Sequence, residues 1–175
     1  MRILMFPLLL LAAVLIAPWR EEAQTTARQS FLVSVAPRVS IKAPPAGATA
    51  DLPLDQTQVQ FSPQVWNVSA NSLSGATVQF ATEHSFHNLR DDSIRRDAQL
   101  NVSIVSQSPT GAWTVTQSQA TTAYQTGHES ASVQVRSAHP GSAEIGLTVT
   151  FLQGDALSTP GGDYVTTVVG TITAN

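Results

Sequence analysis

Cysteine is absent from the chain. Its absence excludes a disulfide scaffold, a thiolate metal site, a cysteine nucleophile and a lipidated bacterial N-terminus. Lysine occurs once, at Lys42, and the formal net charge is −3. That balance excludes the basic footprint of a nucleic-acid binder. Charged residues make up only 12% of the sequence, about half of the usual share of roughly 25%. A helical bundle, which draws on Glu, Lys, Leu and Ala, is therefore disfavoured. After residue 28 no stretch repeats apolar residues at the three-and-four spacing of an amphipathic helix. Aromatics are 6%, sparse for a module that stacks sugars on exposed rings.

Ser and Thr take the place of the missing charge, and apolar residues reach 42%. The 175 residues fit one domain by length, large enough to bury about two-thirds of its unfolded surface. The first segment reads as an address. Met1 and Arg2 form a short basic start, and residues 3–17 are apolar apart from Pro7. This run is too short to span a bilayer comfortably and fits a secretory leader. Ala23 and Ala27 are the candidate cleavage positions. The expected organisation is a leader over 1–23 and a single domain over 24–175.

The rest reads at period two. Phe31, Val33 and Val35 alternate with Leu32 and Ser34, and the phase continues to Val39 and Ile41. Alternation recurs at Val59 and Phe61, at Trp66, Val68 and Ala70, at Val78 and Phe80, and at Leu100, Val102 and Ile104. It returns at Trp113 and Val115, at Val133 and Val135, and from Ile145 through Phe151. The last run, over 164–174, is rich in β-branched residues. Each run has strand length and strand composition. Turn chemistry separates them at 43–47, 72–75, 108–111, 139–141 and 160–163, where Pro and Gly cluster. Short strands with one apolar face each pack most economically as two antiparallel sheets, face to face. The expected fold is an all-β, immunoglobulin-like antiparallel sandwich of seven to nine strands with Greek-key connections, and a closed barrel is the alternative. Solvent faces coated with Thr, Ser, Gln and Asn leave few charged guards, so sheet edges are open to pairing.

Little in the sequence points to catalysis. The chain has no Gly-x-Ser-x-Gly elbow. His128 follows Gly127, and His139 precedes Pro140 and Gly141, so both read as loop residues. Glu83, His84 and His87 lie within five residues, but two histidines three apart beside a strand are expected on opposite faces. The order is not that of a zinc protease helix, and the segment reads as a polar loop with Phe86 turned toward the core. Asp91, Asp92, Asp97, Asp155 and Asp163 are oxygen donors of the kind calcium takes. Arg90, Arg95 and Arg96 are interleaved with the first three, which favours an ion-paired loop. The stretch 88–97, with Arg90, Asp91, Asp92, Arg95, Arg96 and Asp97, is the candidate interaction surface. Trp66 and Trp113 are expected in the core, with a carbohydrate platform as the alternative.

The segments Trp66-Asn-Val-Ser-Ala70, Gly75-Ala-Thr-Val-Gln-Phe80 and Trp113-Thr-Val-Thr116 precede an ending in which Pro160-Gly-Gly-Asp-Tyr164 leads into a Thr/Val strand. That ending resembles the last strand of secreted bacterial β-sandwiches of the spore-coat-U and pilin-like type. The Trp-x-Val segments are similar to WxL cell-wall-binding domains. The resemblance implies an extracellular or periplasmic, structural or adhesive protein without enzymatic activity, and it assigns no site residues. The expected function is an exported surface or structural protein, with a glycan or wall-polymer binding module as the alternative. No cofactor is expected, and the expected partners are further copies or other surface proteins. Residues 29–41 read either as the first strand of the chain's own sandwich or as a strand donated to a neighbour.

Overall fold

A computed structural model describes residues 25–53, 55–154 and 159–175. The expected leader over 1–23 lies outside them, as does Asp155. The chain divides into two compact units, Met1–Ser34 and Val35–Asn175, and the sandwich belongs to the second.

The fold is all-β. Among the described residues, twelve strands run in chain order as β1 (Val39–Lys42), β2 (Gln58–Gln60), β3 (Gln64–Ala70), β4 (Ala76–Thr82), β5 (Phe86–Asn88), β6 (Arg95–Gln107), β7 (Trp113–Gln117), β8 (Gln119–Thr121), β9 (Ser132–Ser137), β10 (Gly141–Leu152), β11 (Tyr164–Val165) and β12 (Val168–Ala174). A single 3-10 turn, Tyr124–Thr126, is the only helical element among the described residues. The strands form two antiparallel sheets, one of them curled into a half-barrel. The first has the order β1-β3-β10-β6-β5-β11, with β2 added to β10 and β8 added to β6. The second has the order β12-β4-β9-β7. β2, β5, β8 and β11 are two or three residues long, and the eight longer strands carry the sandwich.

Alternation decides which side chains meet between the sheets. On β4, Ala76, Val78 and Phe80 are buried while Gln79 faces solvent. On β10, Ile145 and Leu147 are buried opposite Trp66 and Gln64 of β3 on one side and Ile104 and Val102 of β6 on the other. Trp113 is buried among them, and half-buried Trp66 stacks edge-on against Phe80 at 5.1 Å. A smaller cluster joins Phe86, Ala98 and Phe151, with Phe61 and Tyr164 packed against it. Burying each large side chain contributes about 1.5–3 kcal/mol.

Two of the expected strands differ in the structure. The run over 29–41 does not form one strand: only Val39–Lys42 does. The register explains why. Val39 lies opposite Ala70, the last residue of β3. The chain beyond Ala70 turns through 71–75 into β4, so β3 offers no further residues for ladder bonds to the chain before Val39. The terminal run over 164–174 breaks at Thr166 and Thr167. β11 pairs with β5 in the first sheet and β12 pairs with β4 in the second. Thr166 donates its hydroxyl to the His84 carbonyl at 2.6 Å, and Thr167 accepts the Glu83 N–H at 2.9 Å, which fixes the crossing.

Candidate functional site

Residues 25–38 lie in no strand or helix. Between Arg28 and Arg38 the sequence carries no charge. Phe31 is 85% exposed, Leu32 92%, Val33 83% and Val35 77%. Isolated exposed apolar residues are ordinary on a protein surface, whereas a contiguous group marks an interaction site. The period-two spacing of Phe31, Val33 and Val35 makes this arm competent to be a strand. No ladder partner for it exists among the described residues.

The root of the arm is fixed by Asn71. Its Oδ1 accepts the Arg38 N–H, and its Nδ2 donates to the Ala36 carbonyl at 3.2 Å. Its backbone N–H donates to the Arg38 carbonyl at 3.1 Å. The same turn holds the C-terminus. Asn175 N–H donates to the Gly75 carbonyl at 3.1 Å, its Nδ2 donates to the Ser74 carbonyl at 3.1 Å, and its Oδ1 accepts the Thr77 hydroxyl at 2.7 Å. Residues 36–38 and the C-terminal Asn175 are therefore held at the same turn. Sequence reasoning did not single out Asn71; the available signal was an Asn opening the 71–75 turn.

The sheet edges are unequally guarded. β1 is four residues long and carries Lys42. β11 is two residues long and follows Asp163. β7 shifts register against β9 between Val115 and Gln117. The part of β6 beyond β8 contains a bulge, since Ser106 and Ile104 face Glu144 and Ile145 and leave Val105 over. Bulges, charges and short length all hinder the addition of another strand. β12 has none of them. Its seven residues, VVGTITA, pair in unbroken register with β4 on one side only. Val168, Ile172 and Ala174 are half-buried, where the matching row on β4 is fully buried. An apolar rim is thus left partly uncovered.

The six charged candidates divide into two groups. Arg90, Asp91 and Asp92 are exposed on the turn between β5 and β6. The Asp91 carboxylate accepts the Ser93 hydroxyl at 2.6 Å and the Ser93 N–H at 3.0 Å, and these donors hold its pKa below the ordinary value of 3.8. Arg95, Arg96 and Asp97 lie on β6 rather than in a loop, and each fastens another segment. Arg95 pairs with Glu129 and, at 3.3 Å, with Asp92. Arg96 donates to the Thr159 hydroxyl at 2.9 Å. Asp97 accepts the Thr122 hydroxyl at 2.8 Å and the Tyr124 N–H at 2.9 Å.

His84 and His87 do not point to opposite faces as expected. Their rings meet edge-on at 4.5 Å, with the Nδ1 atoms 3.3 Å apart. β4 ends at Thr82, and the bend over 83–85 breaks the strand geometry on which the expectation rested. His84 Nδ1 lies 2.8 Å from the Ser85 carbonyl, and His87 Nε2 lies 3.9 Å from Asp92. No group of three or more His, Asp or Glu side chains is placed to hold a metal ion among the described residues.

Two adjoining depressions lie along β1, β3, β10 and the end of β6. One, of about 410 Å³, is lined by Ser40, Lys42, Asn67, Ser106 and Glu144 among others. The other, of about 580 Å³, adjoins Arg38, Asn71 and Thr110. Their polar lining combines hydroxyl and amide groups with Lys42 and Glu144 in the first and Arg38 in the second, and contains no aromatic ring. Among the described residues no helix is long and apolar enough to cross a membrane. Comparison of the chain with family models, curated proteins and solved structures finds no match.

Proposed function

We propose that this chain is an exported, non-enzymatic structural protein of a cell surface or extracellular layer, and that its copies join by strand addition. The observation that carries the reading is the exposed arm, where Phe31, Val33 and Val35 alternate without a partner. Strand addition satisfies both halves of that observation. Ladder bonds take up the arm's backbone groups, and the partner's core covers its apolar row. The apolar segment over 3–17 supports export. The resemblance of the C-terminal run to secreted pilin-like and spore-coat-U-type sandwiches supports the structural role.

The test is the molar mass of the protein in solution, measured by light scattering over a range of concentrations. Growing or discrete oligomers are expected for the wild type. Deletion of 29–37, which spares β1, is expected to leave a folded monomer. Oligomers that persist after the deletion overturn strand donation by the arm.

The paired depressions favour a second reading, a module for glycan or wall polymer. Hydroxyl and amide groups beside Arg38, Lys42 and Glu144 along an open groove suit a polar or charged sugar chain, although a stacking ring is lacking. Pull-down on cell-wall polysaccharide separates the two, because it does not require the arm.

A further inference from the structure

We propose that His84 and His87 form a two-histidine site for a divalent metal ion of the zinc type, and that the ion clasps the end of one sheet to the start of the other. This goes beyond the strand-addition reading and does not depend on the arm.

The spacing of the two rings carries the inference. Their Nδ1 atoms lie 3.3 Å apart. Zinc binds imidazole nitrogen at about 2.0–2.1 Å, so two such ligands at a tetrahedral angle stand about 3.3 Å from each other. An ion seated between the rings therefore meets both nitrogens where they already are. The surrounding partners also free the right lone pair. His84 Nδ1 has an acceptor in the Ser85 carbonyl at 2.8 Å, and His87 Nε2 faces the Asp92 carboxylate at 3.9 Å. That arrangement puts the His87 proton on Nε2 and leaves its Nδ1 lone pair toward His84. Binding then asks only that His84 carry its own proton on Nε2 instead. A carboxylate behind the far nitrogen is the usual companion of a metal-ligating histidine.

The backbone beneath both rings is fastened. Ser85 is fully buried and donates its hydroxyl to Glu129 at 3.1 Å. The His84 carbonyl accepts the Thr166 hydroxyl at 2.6 Å, and the Glu83 N–H donates to the Thr167 carbonyl. His87 sits on β5, paired with β6 and β11. Ligands held in place before binding lose little freedom when the ion arrives. Charge agrees as well. Arg95 lies opposite His87 in the β5–β6 register, but its guanidinium is taken up by Asp92 and Glu129. Two carboxylates against one guanidinium favour a cation nearby. Both histidines are half-buried, so the ion has a way in, and water takes the coordination places that a closed structural site would fill with protein.

The site joins two sheets. His84 follows β4 of the second sheet, and His87 belongs to β5 of the first. The bend between them is held to Thr166 and Thr167, where the chain crosses from β11 to β12. An ion there ties the sheets at their crossing in a chain that has no cysteine for a disulfide.

The test titrates zinc chloride alone into the full chain by calorimetry. One ion per chain is expected, with a dissociation constant in the micromolar range. His84→Ala and His87→Ala should each weaken binding about tenfold or more. His128→Ala and His139→Ala, at exposed positions elsewhere, should leave it unchanged. Circular dichroism checks that each variant is folded. Zinc at about a hundred times its dissociation constant should raise the wild-type melting midpoint by about 5–10 °C. Magnesium, which takes oxygen ligands, should do neither. Imidazole nitrogen resonances of the wild type give a readout that needs no variant: zinc should move those of His84 and His87 and spare those of His128 and His139. Zinc that moves only His128 or His139, that binds a folded double variant lacking both His84 and His87, or that magnesium replaces equally well overturns the site. So does an absence of binding up to millimolar zinc. A melting midpoint that bound zinc leaves unmoved overturns the clasp.

Discussion

Two stretches of this chain carry the same pattern and meet opposite fates. Ile145, Leu147 and Phe151 on β10 are 0%, 2% and 5% exposed, whereas Phe31, Val33 and Val35 are 85%, 83% and 77% exposed. Both place apolar residues at every second position, with apolar Leu32 also falling between two of them in the arm, and both are free of charge at those positions. The difference lies in what flanks them. β10 has β3 on one side and β6 on the other, while the arm begins where β3 has already turned away. Period-two alternation thus encodes the capacity to be a strand, and only the availability of an edge decides whether that capacity is used within the chain. An arm with the capacity and no edge is what an intermolecular strand requires.

The comparison breaks most sharply at its buried end. Leu147→Ala removes a side chain packed between the sheets and is expected to cost about 2–5 kcal/mol, read as a lower midpoint in urea unfolding. Gly75→Ala tests the turn that denies the arm its partner. Gly75 has φ +75°, and a Cβ there would fall 2.2 Å from the Ser137 carbonyl oxygen. Strain and overpacking together predict a loss of about 1–3 kcal/mol in the same unfolding experiment. An unchanged midpoint for either variant would mean that the β10 core or the turn is less constrained than its packing implies.

Much of the sandwich was legible because alternation, β-branched composition and turn residues agree with one another. β3, β4, β9 and β10 all contain runs of this kind. Elements held by tertiary contacts were less legible. β5 carries Phe86-His-Asn and β8 carries Gln-Ala-Thr, and neither has a period to read. Arg95, Arg96 and Asp97 looked like part of a charged loop because charge hides the start of a strand. Their partners, Glu129, Thr159 and Thr122, are 25 to 63 residues away in sequence. The candidate site was half legible. The arm's pattern was plain, but its exposure depends on where β3 ends and could not be read locally. The openness of β12 likewise depends on which strand occupies the outer place in the second sheet.

The root of the arm supplies a finer test. Asn71→Ala removes two hydrogen bonds, to Arg38 and Ala36, at an exposed site. A loss of about 1 kcal/mol is expected, together with faster hydrogen exchange at the Arg38 amide and little change in the β10 amides. Equal acceleration at both would show that arm and sandwich open as one unit.

The smallest expected effect is the most discriminating. Val33→Asp places a carboxylate in the middle of the arm's apolar row. In the isolated monomer Val33 is already in water, so unfolding stability should change by no more than about 0.5 kcal/mol. An aspartate at a buried β10 position has no such freedom, because it must give up its hydration without a partner. The arm escapes that penalty until it is covered by another copy. If copies join through this segment, the same substitution that leaves the monomer's urea midpoint unmoved should abolish concentration-dependent growth in molar mass. Loss of monomer stability with Val33→Asp would instead place the arm against its own sandwich in solution and dissolve the contrast between the two stretches.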